Sequence, residues 1–205
     1  QQRGVPSCVL TFEPHPRDYF AETFKKPELA PARVGTLRDK LEDLARCGVD
    51  QAVVLPFDAR LAGQSPQEFI QNVLVSGLGA KYVLVGDDFR FGKGRTGTPD
   101  DMRHYGREFG FTVSVAEAIQ HRDGEKFSST HTREALREGR PDEAAAILGR
   151  PFAIEGMVQK GRQLGRTLGI PTANVALNDY VVPKFGVYAT RTRLKDGREI
   201  PGVAN

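Results

Sequence analysis

Gly161, Gly165 and Gly169 recur every four residues and run straight into Pro171-Thr172-Ala173-Asn174. Glycines at this density let main-chain amides come close to a polyanion. The Thr172 hydroxyl and the Asn174 side-chain carbonyl then offer two hard oxygen donors two residues apart, the kind that Mg²⁺ accepts when it also holds nucleotide phosphates. The stretch is not a Walker loop, which would end in Gly-Lys-Ser/Thr. Taken alone, it also fits a Gly-rich turn entering a strand.

Three further constellations carry chemistry-bearing side chains. The first is Thr11-Phe12-Glu13-Pro14-His15-Pro16-Arg17, where two prolines hold His15 stiffly. A histidine so placed suits either a ligand contact or a capped loop. The second is Gly86-Asp87-Asp88-Phe89-Arg90-Phe91-Gly92. Here the glycines permit close approach of a flat aromatic ligand to Phe89 and Phe91, and Asp88 could accept from a heterocyclic N–H. The alternatives are that the phenylalanines plug the loop into the core and that Asp88 closes a turn. The third is Ser128-Ser129-Thr130-His131-Thr132-Arg133. Three hydroxyls at a helix start make an anion site, and Arg133 one turn on offers a bidentate phosphate grip. A plain cap accounts for one serine but not for the cluster. His104, His121 and His131 share no spacing and read as surface residues.

The elements that must position these groups follow from hydrophobic period and punctuation. Residues 5–12 read as a buried strand followed by a Pro-rich loop, and Thr36 with Asp39 resembles a capping box before a helix of Leu37, Leu41 and Leu44 that stops at Gly48. Val53-Val54-Leu55 is the next strand. Ser65, Pro66 and Glu68 start a helix carrying Phe69, Ile70, Val73 and Leu74 to Gly77, and Tyr82-Val83-Leu84-Val85 is a third strand. Thr98 caps a helix ending at Gly110, and Phe111 to Val115 follows as a fourth strand. Such alternation argues for one mostly parallel sheet covered on both faces, with ligands beyond the carboxyl ends of its strands, where the three constellations fall. Two helices come next, from Ser128 to Gly139 and from Pro141 to Gly149. Beyond residue 151 only short alternating segments remain, Phe152–Val158, Thr172–Leu177, Gly186–Leu194 and Ile200 onward, with Asp196-Gly197 as a hairpin turn. The reading is α/β, with a parallel-sheet domain over 1–150 and an antiparallel β domain over 151–205, whose four or so strands are too few to close a barrel.

Composition removes several function classes. The 205 residues are 39% hydrophobic and 27% charged, ordinary for a water-soluble chain, and no apolar run approaches a membrane span. A net charge of +3 without a basic block interleaved with aromatics argues against nucleic acid and suits small anionic ligands. Cys8 and Cys47 have neither metal-ligand spacing nor disulfide density, which points to a cytoplasmic setting and to small core residues. The chain opens on Gln1-Gln2-Arg3 without an initiator methionine and stops at Pro201-Gly202-Val203-Ala204-Asn205, so a piece of a longer polypeptide is expected.

Together these motifs resemble the bacterial bifunctional riboflavin kinase/FMN adenylyltransferase family, the FAD synthetases. Thr11–Pro16, Val85–Gly92, Ser128–Arg133, Gly161–Asn174, Gly186-Val187-Tyr188-Ala189 and Gly202-Val203-Ala204-Asn205 match in order over nearly the whole chain. The resemblance implies a Rossmann-like nucleotidyltransferase domain followed by a riboflavin-kinase β-barrel, incomplete here. It implies ATP-dependent phosphorylation of riboflavin to FMN, then adenylylation of FMN to FAD with release of pyrophosphate. It places Phe12, Pro14, His15, Asp88, Phe89 and Phe91 around flavin, and Ser128, Ser129, Thr130 and Arg133 on ATP phosphates. In the kinase part, Gly161, Gly165, Gly169 and Pro171 shape the ATP loop, and Thr172 with Asn174 bind Mg²⁺ and phosphate.

Two departures qualify the match. The family's first strand with its His-x-Gly-His motif is expected upstream of Gln1, and the rest of the barrel with its general-base glutamate beyond Asn205. No catalytic residue is therefore assigned, and residues 1–205 alone are expected to be inactive. The competing readings are a non-catalytic flavin or nucleotide binding module and a single-activity nucleotidyltransferase with an accessory β domain. The intact Pro-Thr-Ala-Asn stretch argues against the second. The sequence leaves a homo-oligomer open.

Overall fold

Cys8–Glu13, rich in β-branched and aromatic residues, forms strand β1, and it pairs in parallel with β2, Gln51–Pro56, in the register Leu10 opposite Val53 and Phe12 opposite Leu55. The structure is a computed structural model and describes residues 4–117, 128–161, 169 and 172–205. Between the two strands lie helix α1, Pro16–Thr23, a 3₁₀ turn over Pro27–Leu29 and helix α2, Leu37–Arg46. Helix α1 stands where a Pro-rich loop was expected: Pro16 occupies its first turn, where a missing N–H costs nothing, and the His15 ring accepts from the Arg17 amide as the cap. The Thr36–Asp39 capping box is present, with the Asp39 carboxylate accepting from the Thr36 amide at 2.7 Å.

The second parallel ladder pairs β3, Tyr82–Gly86, with β4, Thr112–Ala116. Helix α3, Ala59–Ala62, and helix α4, Pro66–Phe69, precede it, and α4 continues over Ile70–Gly77 in π-helical hydrogen bonding. Helix α5, Pro99–Phe109, joins β3 to β4 and ends on Gly110 in the left-handed conformation. In place of the single parallel sheet expected, there are two separate two-stranded ladders, because the backbone hydrogen bonds among the described residues end within each pair. Side-chain packing does the joining instead. Leu10 and Phe12 of β1, Val83 and Val85 of β3 and Val113 of β4 all pack against one core of Phe69, Ile70, Leu74, Phe91, Met102 and Phe111.

Backbone contacts divide the chain into two compact units, Gln1–Pro31 with Lys40–Phe127, and Ala32–Asp39 with Ser128–Asn205. The second unit contains helices α6, Ser129–Glu138, and α7, Pro141–Leu148, and the antiparallel pairs β5, Val158–Gln159, with β6, Asn174–Val175, and β7, Tyr188–Arg193, with β8, Glu199–Ala204. Its core gathers Ala135, Leu136, Ala144 and Val181, with Ala32 and Phe152 against it. The segment 32–39 is held there by main-chain bonds from Arg33 to Asp179 and from Val181 back to Arg33, and by the Tyr180 hydroxyl, which donates to Asp39 at 3.0 Å. Burial raises the Tyr180 pKa above its ordinary value. The Asp196-Gly197 hairpin forms as expected, with Arg193 opposite Glu199 and Gly197 at φ 87°. No closed sheet joins the antiparallel pairs among the described residues.

Candidate functional site

In the first unit, the motif loops leave the carboxyl ends of β1 and β3. Phe12 meets Phe57 edge to face at 5.7 Å, and Phe57 in turn meets Tyr19 and Phe20, so Phe12 is braced by an aromatic cluster. The Glu13–Pro14 peptide is cis. His15 and Pro14 are exposed. The His15 Nδ1 takes the Arg17 amide at 3.2 Å, so the capping role open in the sequence is filled, with Nε2 carrying the proton in the neutral ring. Lys40 Nζ reaches the Thr11 hydroxyl at 3.1 Å, a link that no sequence pattern announced.

The β3 loop separates its two phenylalanines. Phe91 is 6% exposed and belongs to the core, while Phe89 is half-buried and stacks on it at 5.5 Å and 19°. The plug reading thus holds for Phe91, which leaves Phe89 as the ring with an open side. Gly97 fixes this arrangement, since a Cβ there would stand 2.8 Å from the Phe91 ring. Gly92, at φ 72°, lies against Pro66, where a Cβ would come within 2.7 Å. Asp88 is exposed at the tip, and the Phe89 amide closes the turn onto Gly86.

In the second unit, Ser128 caps α6, accepting from the His131 amide at 3.2 Å, and Ser129 and Thr130 are exposed in the first turn. Arg133 is half-buried and its Nε donates to the Ala32 carbonyl at 2.5 Å. It therefore anchors segment 32–39 as well as standing on the hydroxyl-bearing helix. His131, expected at the surface, is corrected by the structure: its ring is half-buried against α7, with Nε2 2.8 Å from Glu143 Oε1. The signal for it was available only in three dimensions, since the two residues belong to different helices.

Of the glycine-rich stretch, Gly165 and Pro171 lie outside the described residues, as do His121 and Glu125-Lys126-Phe127. Gly169, at φ 74°, Thr172 and Asn174 are exposed. Asn174 opposes Gln159 in the β5–β6 pair, and a Cβ at Gly161 would run into its side-chain amide, so Gly161 and Asn174 are brought side by side. Cys8 and Cys47 are both exposed, which overturns their reading as core residues: one opens β1 and the other follows the end of α2. Among the described residues there is no group of three or more His, Cys, Asp or Glu that could hold a metal.

The chain thus combines an α/β unit, whose aromatic loops follow its parallel strands, with a second unit of two helices and antiparallel strand pairs. The sequence model described as FAD synthetase matches residues 1–131, and that described as riboflavin kinase matches residues 148–205. The chain belongs to the FAD synthetase family. It is 46% identical over 202 residues to a bifunctional riboflavin kinase/FMN adenylyltransferase of Pseudomonas fluorescens, covering 98% of this chain and 62% of that protein. It is 43% identical over 205 residues to the protein of the same name from Escherichia coli K12, covering 100% of this chain and 64% of that one. A solved structure titled as a macrolide-efflux protein from Streptococcus pneumoniae superposes with a TM-score of 0.71 at 28% identity, over 98% of this chain and 69% of that one. The chain thus spans less than two thirds of the length of these curated relatives.

Proposed function

We propose that the protein carrying this chain makes FAD in two ATP-dependent steps, phosphorylating riboflavin to FMN and then transferring AMP from a second ATP to FMN with release of pyrophosphate. The observation that carries the reading is the succession of two family matches, FAD synthetase over 1–131 and riboflavin kinase over 148–205, on one chain with bifunctional relatives. In this reading the chain divides near residue 150 into an adenylylating part and the beginning of a kinase barrel.

Phe89 offers the open aromatic face for the isoalloxazine, with Phe91 behind it, and Asp88 accepts from the ring system. Phe12, Pro14 and His15 shape the neighbouring flavin loop. Ser128, Ser129 and Thr130 at the start of α6, with Arg133, hold ATP phosphates of the adenylylation step by amide, hydroxyl and guanidinium donors. In the kinase part, Gly161, Gly165, Gly169 and Pro171 form the ATP loop. The exposed hydroxyl of Thr172 and amide oxygen of Asn174 fit Mg²⁺, which accepts a few neutral oxygens when phosphates and water complete its shell. That ion would neutralise phosphate charge. Both reactions are in-line displacements, so the chain's work is positioning and charge stabilisation. Exposed cysteines without a disulfide suit a cytoplasmic setting, and no helix among the described residues is long and apolar enough to cross a membrane.

The test is to supply the product of the complete gene with riboflavin and ATP, and separately with FMN and ATP, and to follow FMN and FAD by chromatography. Formation of both supports the reading. Flavin binding without turnover favours a non-catalytic module, and FAD formation from FMN alone favours a single-activity transferase.

A further inference from the structure

Among the described residues, three helices start with a hydroxyl N-cap and place an acidic residue three positions on. Asp39, Glu68 and Asp101 each fold back to accept from the cap amide, at 2.7, 2.7 and 2.8 Å. These bonds hold the Glu68 and Asp101 carboxyls below their ordinary pKa, through the Ser65 amide foremost in one and the Thr98 hydroxyl foremost in the other. Each such helix start is occupied by its own carboxylate. Helix α6 differs at the same position. Its third residue is His131, and the ring turns away from the cap to Glu143 of α7.

An ionised carboxylate can only accept, so Nε2–H of His131 donates to Glu143 Oε1. The other Glu143 oxygen takes Arg140, and Arg140 also pairs with Glu138 near the end of α6. A run of His131, Glu143, Arg140 and Glu138 therefore fastens α6 to the start of α7 at both ends. The buried Thr132 hydroxyl, donating to the Ser128 carbonyl, completes the fixing of the first turn.

We propose that His131 is a positioning residue for the adenylylation step: through Glu143 it fixes the first turn of α6, so that the Ser129 and Thr130 donors meet nucleotide phosphate without rearrangement, and it keeps a carboxylate out of that turn. The inference rests on the function proposed above. A donor set held in place binds its ligand without a cost of ordering, and release of one tether lets the turn wander on the scale at which positioning is lost.

The experiment uses the product of the complete gene and measures KM for ATP and kcat in both reactions. His131→Ala should raise KM for ATP in FMN adenylylation by about tenfold, with kcat changed by less than about threefold and riboflavin phosphorylation unaltered. His131→Gln, which still presents a donor to Glu143, should bring KM back to within about threefold of the parent, and Glu143→Ala should reproduce the rise with little added by the double variant. An unchanged KM in His131→Ala overturns the inference. So does an equal loss in both reactions, with a lowered Tm, that His131→Gln shares. A parent protein that makes no FAD from FMN overturns the proposed function and this inference with it, whereas a competent parent with an indifferent His131 overturns this inference alone.

Discussion

At the scale of the residue, Asn174 and Arg133 make opposite kinds of test. Asn174 is exposed, its side chain lies beside Gly161, and it bears little on packing. Asn174→Ala should abolish riboflavin phosphorylation and leave FMN adenylylation largely intact, as separate assays with riboflavin and with FMN would show; equal loss of both would sink the assignment of two sites. Arg133 is tied to the Ala32 carbonyl, so its removal should do two things. Loss of a charge-assisted phosphate contact costs about 1.5–3 kcal/mol, or roughly tenfold to a hundredfold in KM for ATP of the adenylylation step. Loss of the carbonyl bond should lower Tm as well, since it helps hold segment 32–39. A fall in Tm with no change in ATP kinetics would assign Arg133 to the fold alone. The cap at Ser128, with Arg133 one turn on, was legible in the spacing. The carbonyl anchor was not, because Ala32 lies far away in sequence and carries no pattern.

At the scale of the element, local chemistry was the most readable part of this chain. The boxes at Thr36 and Thr98, the Ser65-Pro66 start and the stops at Gly110 and Gly139 all rest on hydrogen bonds spanning three or four residues, so the sequence states them directly, and the stop at Gly149 rests on its left-handed backbone. Helix α1 escaped because Pro14 and Pro16 signal a loop until His15 is recognised as a cap. The α5 box gives a pH-dependent prediction. Thr98 donates to Asp101 and holds its carboxyl below the ordinary value, so the stabilisation is fully present above the unfolded pKa of about 4 and is lost as pH falls through the lower folded value. Asp101→Ala should cost about 1 kcal/mol at pH 7, and the gap between parent and variant should close below about pH 4. Urea unfolding at pH 7 and pH 3 checks it; a gap of the same size at both would mean that the carboxylate is not what stabilises α5.

At the scale of the whole molecule, the hydrophobic pattern anticipated which residues enter a core in the first unit but not how its strands pair. Alternation of strand and helix fixes the type of each element, while the ladder a strand joins depends on partners that no local pattern names. The β7–β8 hairpin presents the reverse case: its register and turn were readable, and its burial was not. Every residue of β8 is exposed, and nearby Phe185 and Val187 are 95% and 78% exposed, with Val203 at 75%. A two-stranded hairpin without a covered face is marginally stable in water, and apolar side chains left open favour association. Amides of residues 188–204 in the 205-residue chain should therefore exchange through local opening, well before those of α5, whose Met102 and Gly106 are buried. The same chain should gain mass with concentration in light scattering, and the double substitution Val187→Ser with Val203→Ser should shift that gain to higher concentration. Exchange of 188–204 as slow as that of α5, in a chain that stays monomeric at every concentration, would show that this hairpin is held by contacts other than those of its own two strands.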